Sequence, residues 1–202
     1  MKFRYLSLVV ALVVLAVPLS ASQFIELPFD QVARESKFIV RGHVVDTWSA
    51  WDDAREVIYT YSTVRVTRYF GEATGPDTLV VREVGGTVDG YTMEAIGFPE
   101  LRRGEQLVLM LSEWEGSTDL RVHAFNQGKR LVRERSGVEV LIEDPVKQGD
   151  MRLGRSGGPF DVRTDAVLDT EGALSIDEFA AMVDDARSGG PGEIGPRHRS
   201  NQ

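Results

Sequence analysis

The feature that most constrains the fold is a short apolar run in the middle of the chain. Five apolar residues, Leu107 to Leu111, lie between Gln106 and Ser112. This run is far shorter than the roughly 20 residues that a membrane-spanning helix needs. A strand with one solvated face alternates apolar and polar residues, whereas a strand buried on both faces is continuously apolar. We therefore predict a strand at Gln106–Ser112 in the centre of a closed or doubly covered sheet.

The segments around this run are rich in β-branched and aromatic residues, and several alternate with a period of two. In Phe38–Trp48, Val40, Gly42 and Val44 share one face, while Arg41 and His43 share the other. Further strands are predicted at Val57–Phe70, Thr78–Val84, Tyr91–Ala95, Leu120–Phe125, Lys129–Arg133 and Val138–Ile142, with bending points at Gly42 and Gly85-Gly86. The predicted fold class is mainly β: a small OB-like closed barrel, with a β-sandwich as the alternative.

Two short helices are predicted on either side of the strands. Phe29, Val32 and Ala33 share a face within Pro28–Ser36. Ser175–Arg187 carries an apolar stripe of Ile176, Phe179, Ala180 and Val183. We expect a barrel domain over residues 23–145, an irregular connector over 146–174, a helix over 175–188 and a disordered tail over 189–202.

The N-terminus has the pattern of a secretory signal peptide, predicted over residues 1–22. Lys2 and Arg4 precede an apolar stretch of about 15 residues, and small residues follow it. Pro18 ends a helix just before the expected cleavage near Ala21–Gln23. We expect a secreted or periplasmic protein with no stable membrane insertion after cleavage; an uncleaved anchor is the alternative.

Charge and cysteine content exclude several classes of function. The net charge is −8, and removal of Lys2 and Arg4 with the signal peptide takes it to −10. Such a domain repels nucleic acid and anionic membranes, so no nucleic-acid partner is expected. The chain has no cysteine. This excludes disulfides, thiol nucleophiles and cysteine-based zinc sites.

Several short blocks together resemble a known group of proteins. Phe38–Val44 is similar to the opening "aDlIv-G-V" strand of a broad group of uncharacterised exported bacterial proteins. Further blocks that resemble the group are Ile58–Thr60 with Val64–Val66, Gly85-Gly86, Gly97–Pro99, Gly104–Leu109, Gln127–Lys129, and the C-terminal helix after Leu174. The group looks like the OB-type barrel of tissue inhibitors of metalloproteinases and netrin-like modules. Those inhibitors bind zinc through an N-terminal cysteine, which this chain lacks, so the resemblance implies the fold and not metalloproteinase inhibition.

The sequence shows no catalytic motif. Among its three histidines, His43 and His123 fall on polar faces of predicted strands and His198 lies in the predicted tail. No P-loop, Gly-x-Ser-x-Gly or zinc-protease pattern is present. We therefore expect no catalytic residue, no cofactor and no enzyme activity, although a Ser-His-acid site assembled in space is invisible in a sequence.

One acidic segment is similar to a calcium-binding EF-hand loop. Asp169, Glu171 and Glu178 fall at loop positions 3, 5 and 12, but position 1 is Val167. The alternative interpretation is a capping box, in which Ser175 and Glu178 begin the last helix. We expect the capping box and no metal site, with these acidic residues as weak calcium candidates.

The candidate ligand-binding residues are aromatic and lie on the first two strands: Trp48, Trp51, Tyr59, Tyr61 and Tyr69. The three tyrosines are predicted to share one face, and exposed rings stack on sugars or peptides. The sequence thus favours an exported non-catalytic binding or interaction module for an unknown protein, peptide or glycan. One alternative is a protease-inhibitor-like regulator that acts by surface occlusion; another is a hydrolase.

Overall fold

Five strands close into a barrel in the computed structural model, which describes residues 26–144, 152–155 and 173–189. In chain order the strands are β1 (Phe38–Trp51), β2 (Ile58–Tyr69), β3 (Thr78–Val84), β4 (Gly86–Val88), β5 (Tyr91–Glu94), β6 (Gln106–Glu113), β7 (Leu120–Val122), β8 (Lys129–Arg135), β9 (Val138–Glu143), β10 (Arg152–Arg155) and β11 (Leu174–Ser175). The helices are α1 (Phe29–Glu35) and α2 (Ile176–Ser188), with one 3-10 turn at Phe125–Gly128.

The barrel has the strand order β1-β2-β3-β7-β6, and β6 pairs again with β1. β3 and β7 are parallel, and the other barrel pairs are antiparallel. This order is consistent with an OB-type barrel. The mainly β class and the closed barrel are confirmed, and the β-sandwich alternative is wrong. β8, β9 and β11 extend the sheet beyond β6, while β10, β5 and β4 form a separate three-stranded sheet.

β6 is buried on both faces, as its apolar run predicts. Leu107, Leu109 and Leu111 point into the barrel, whereas Val108 and Met110 face the two helices. None of these five side chains is more than 1% exposed. The strand therefore separates two apolar cores, one inside the barrel and one beneath the helices.

The helices pack against each other and against the sheet through Phe179. Its ring lies edge-on to Phe29 at 5.6 Å and to Phe70 at 5.2 Å between centroids. Arg187 reaches back from α2 and donates to the carbonyl oxygens of Ala33 and Ser36. Both predicted helices and their apolar faces are confirmed.

β-bulges bend the long strands β1 and β2. The β1–β2 register shifts between Arg41 and Gly42, where Thr67 is the extra residue of β2, and again between Val44 and Asp46, where Val45 is extra on β1. A bulge reverses which side chains face the core beyond it. Residues that are an even number apart therefore do not share a face across a bulge.

The sequence prediction differs from the structure at several boundaries. β1 continues three residues past Trp48, and β4 has no counterpart among the predicted strands. The strand predicted at Leu120–Phe125 ends at Val122, because Ala124 and Phe125 have φ angles of 53° and 57°. The described part of the predicted connector contains β10 and the first residue of β11, so it is not irregular throughout.

The bend at Gly42 leaves no room for a side chain. A Cβ there would lie 2.5 Å from the Arg65 carbonyl oxygen and 2.9 Å from Val64 Cγ1. We expect Gly42→Ala to lower the free energy of unfolding by roughly 1–3 kcal/mol through overpacking. Gly189→Ala is the control, since its nearest contact is 3.3 Å and its φ is −66°. Equal stabilities of the two variants in urea unfolding would contradict this view of the bend.

Candidate functional site

Two rings lie side by side on the outer surface of the barrel. Trp48 of β1 and Tyr61 of β2 are direct cross-strand partners. Their rings are stacked, with centroids 5.4 Å apart and planes at 10°. Trp48 remains 44% exposed. The stacked Tyr61 ring thus holds the exposed indole of Trp48 in one orientation on the outer face of the sheet.

A second group of rings surrounds the guanidinium of Arg82. The Arg82 Cζ lies 4.8 Å from the Tyr59 ring centroid and 5.2 Å from that of Trp114. Tyr59 and Trp114 meet edge-on at 6.0 Å. The Trp114 indole N–H donates to the Arg82 carbonyl oxygen at 2.9 Å, and Arg82 forms a 2.6 Å ion pair with Asp119. Trp114 and Asp119 border the β6–β7 turn, which is thereby fixed against β3.

The same pattern continues onto β7. The Arg121 guanidinium lies 4.8 Å from the Trp114 ring centroid and 5.4 Å from that of Phe125. Each cation–π contact of this kind contributes about 0.5–1 kcal/mol or more. We call the resulting row of rings and guanidinium groups the outer belt; its members are Trp48, Tyr59, Tyr61, Arg82, Trp114 and Arg121.

Two of the predicted binding residues lie elsewhere. Trp51 pairs with the buried Ile58, on the opposite face of β1 from Trp48, and its ring meets Tyr91 of the smaller sheet at 6.0 Å. Tyr69 packs edge-on to Phe38 at 5.8 Å and lies against the barrel core. The prediction that the three tyrosines share one face is therefore wrong for Tyr69.

The bulge at Thr67 explains the placement of Tyr69. Tyr59 and Tyr61 precede the bulge and point outward, whereas Tyr69 follows it and points to the core side. The Tyr69 hydroxyl donates to the carbonyl oxygen of Pro76 at 2.7 Å. Tyr69 therefore anchors the loop after β2 and takes no part in the outer belt.

A buried carboxyl group lies between β3 and β7. Glu83 is 4% exposed and accepts a hydrogen bond from the backbone N–H of Val122. β3 and β7 are the parallel pair of the barrel, and their ladder consists of one residue pair, Val81 with Leu120. The Glu83 carboxyl group therefore supplies the hydrogen-bond acceptor that the buried Val122 N–H needs. Burial raises the pKa of Glu83 to about 8, against the opposing effects of the Val122 hydrogen bond and of Arg121.

This raised pKa makes stability depend on pH. The folded protein holds the Glu83 proton more tightly than the unfolded chain, in which the pKa is near 4.5. The contribution of Glu83 to the free energy of unfolding is therefore fully present below about pH 4.5 and is lost as the pH rises towards 8. We expect Glu83→Gln, which keeps an acceptor for Val122, to be the more stable protein above about pH 8, by roughly 3–5 kcal/mol. Denaturant unfolding from pH 5 to 9 measures this, and parallel pH profiles for the two proteins would contradict it.

One histidine lies between a serine and a carboxylate, an arrangement that sequence reasoning did not find. His123 Nδ1 is 3.2 Å from Ser112 Oγ, and His123 Nε2 is 3.2 Å from Glu35 Oε2. His43, on β1, pairs with Gln106 at the start of β6 and is six residues of that strand from Ser112. The structure thus does not bring the two histidines together.

The surroundings of Ser112 do not favour acyl transfer. Such a reaction needs N–H donors aimed at a developing oxyanion. Glu35 is the last residue of α1, and a helix C-terminus presents carbonyl oxygens with negative partial charge. We therefore interpret the Ser112–His123–Glu35 chain as a structural link between β6 and α1.

The acidic segment before α2 is a capping box where the structure describes it. Glu178 Oε2 accepts from the Ser175 backbone N–H at 2.9 Å, and the Glu178 N–H donates to Ser175 Oγ at 3.2 Å. The Ser175 hydroxyl also donates to Glu178 Oε2 at 2.7 Å, and this bond, together with that from the Ser175 backbone N–H, lowers the pKa of Glu178. Asp169 and Glu171 lie outside the described residues. Within residues 26–144 and 173–189, no cluster of three or more His, Asp or Glu side chains has a metal-binding arrangement.

Comparisons of this chain with protein-family models, with curated proteins and with solved structures find no match. Among the described residues, neither helix is long and apolar enough to cross a membrane.

Proposed function

We propose that this protein is an exported, non-catalytic binding module whose ligand docks on the outer belt. The supporting observation is the position of the belt. It crosses the outer face of β2 and β3, between the β1–β2 turn and the β6–β7 turn. In OB-type barrels, ligands bind at the face of strands two and three and at these two loops.

The chemistry of the belt favours a peptide or a glycan. Its exposed element is the flat indole of Trp48, which suits stacking against a sugar ring or a side chain. Its two arginines are already engaged by rings, and Arg82 is also paired with Asp119. With a net charge of −8, the chain disfavours a nucleic-acid ligand.

We also propose that the chain is related to the exported bacterial proteins that its sequence blocks resemble. The closed barrel, which is consistent with an OB-type barrel, supports a relation to netrin-like modules and tissue inhibitors of metalloproteinases. With no cysteine in the chain, the chelating step of those inhibitors has no residue to perform it. We therefore propose that the protein shares the barrel that this group uses for recognition but does not inhibit metalloproteinases.

Removal of the exposed indole tests the proposed site. We expect Trp48→Ala to weaken binding several-fold, because a stacked ring contributes about 1 kcal/mol or more beyond its buried area. The measurement is isothermal titration with the best-binding member of a peptide and glycan array. Val138→Ala is the matched control, since Val138 is 53% exposed on β9. An equal loss of affinity in both variants, or none in Trp48→Ala, would remove the outer belt as the site.

Export has its own test. The protein recovered from outside the cytoplasm is expected to begin near Ser22 or Gln23, because small residues follow the apolar run there. N-terminal sequencing of the secreted or periplasmic protein measures this. An intact Met1 on protein that stays in the membrane fraction would show an uncleaved anchor instead.

A further inference from the structure

The second half of β1 has an open edge. β1 pairs with β2 from Val40 to Trp51, but it pairs with β6 only from Phe38 to His43. The edge is still covered at Val44, whose N–H donates to the Glu105 carbonyl oxygen at 3.0 Å. From Val45 to Trp51, no strand in the described part of the chain forms a backbone ladder with β1 on that side; β4 packs near Ser49 without pairing with β1.

The alternation of an antiparallel ladder shows which groups line this edge. The N–H of Asp52 donates to the Val57 carbonyl oxygen at 2.8 Å and so faces β2. Trp48 and Ala50, at the same parity, also direct their backbone groups towards β2. The N–H and C=O groups of Thr47, Ser49 and Trp51 therefore point to the open edge. None of them has a backbone partner on that side among the described residues.

This edge carries little protection against strand addition. Natural edge strands are protected by charged side chains, prolines or bulges. β1 has a bulge at Val45 and a charge at Asp46, but neither a charge nor a proline from Thr47 to Trp51. An unprotected row of N–H and C=O groups is a template on which an extended segment can form hydrogen bonds.

Trp48 places a recognition element beside the same edge. Tyr61 lies on the β2 side and covers one face of the indole, so the other face of the ring points towards the open edge. A side chain on an added strand, at the position opposite Trp48, would lie against that free face. Arginine and lysine suit such a position because a cation is attracted to the face of an indole.

The charges around the edge decide between possible occupants. Residues 45–57 contain four acidic side chains, those of Asp46, Asp52, Asp53 and Glu56. The single cation in this segment is Arg55. A second copy of the chain would bring the same acidic hairpin and a further net charge of −8, which opposes pairing of two β1 edges. A basic segment is complementary to this hairpin.

We propose that the open edge of β1 binds an extended, lysine- and arginine-rich segment of a partner protein by strand addition. The backbone groups of Thr47, Ser49 and Trp51 supply the hydrogen bonds, and Trp48 receives a basic side chain. This inference rests on the proposed binding role and narrows its partner to one class.

A synthetic peptide tests the inference directly. The probe is acetyl-Thr-Lys-Val-Arg-Val-Lys-Thr-amide, and its matched counterpart carries Glu at the three basic positions. In amide NMR spectra of the protein, we expect the basic peptide, at up to about 1 mM, to shift and protect the amides of Thr47, Ser49 and Trp51. The acidic peptide is expected to bind at least about tenfold more weakly. Equal binding of both peptides, or no shift at these amides, would overturn the proposal.

Backbone methylation separates strand addition from mere side-chain contact. Two versions of the basic peptide are methylated at alternate amides, one at the odd and one at the even positions. An added strand bonds through only one of these sets, so one version is expected to lose affinity about tenfold or more and the other about twofold or less. If both versions bind alike, the peptide does not add as a strand.

A pair of protein variants makes the same distinction from the other side. Ser49→Pro and Ser49→Ala both lose the side-chain bond to Thr60 Oγ1, but only the proline removes the outward N–H. We expect the proline variant to bind the basic peptide at least about tenfold more weakly than the alanine variant. If circular dichroism shows that the proline variant is unfolded, the methylated peptides alone decide.

The outcomes for the two proposals are distinguishable. If Trp48→Ala weakens binding of the array-selected ligand while the methylated peptides bind alike, the binding role stands and strand addition fails. If Trp48→Ala leaves that affinity unchanged and no basic peptide binds the β1 edge, both proposals fail.

Discussion

The structure depends on the burial of β6 on both of its faces. This strand pairs with β1 and β7 to close the barrel and with β8 to extend the sheet. Its leucines fill the barrel, and Val108 and Met110 form the floor on which the helices lie. Since one strand carries apolar residues of both cores, a one-residue change in its register would exchange the two sets of side chains and disrupt the packing of both cores.

The sequence predicted those parts of the fold that depend on local periodicity and volume. The continuous run Leu107–Leu111 required cover on two sides, and the alternation in β1 and β2 gave their inner faces. The predicted helices were right because apolar residues recur at helical spacing in each, Phe29 with Val32 in α1 and Phe179 with Val183 in α2. The left-handed pair Ala124-Phe125 was missed, because neither residue signals a positive φ and the turn is stabilised by tertiary contacts such as Phe98 against Phe125.

The candidate site was predictable only in part, for a related reason. The outward positions of Tyr59 and Tyr61 follow from the alternation of β2, whereas Trp48 joins them on the outer surface only because the bulge at Val45 reverses the alternation of β1. Tyr69 was misplaced because one extra residue at Thr67 reverses parity, and a single sequence does not show a bulge of this kind. Arg82 lies on β3, whereas Trp114 and Arg121 flank the β6–β7 turn, and the pairing of β3 with β7 brings these two distant segments together.

The link between β5 and β6 has a consequence for how such a barrel can work. Leu101 from this link packs into the barrel core, and the ammonium group of Lys129, 1% exposed, is bonded to the Glu100 carbonyl oxygen and to the carboxylates of Glu105 and Asp144. The ion pairs and the hydrogen bond of the buried Lys129 ammonium group thus fix the link in place, with Leu101 in the barrel core. Barrels with more strands can hold a small ligand in their interior. Here the side chains of the barrel core, Leu101 among them, fill the interior, so the chain itself occupies the space in which such barrels hold a ligand.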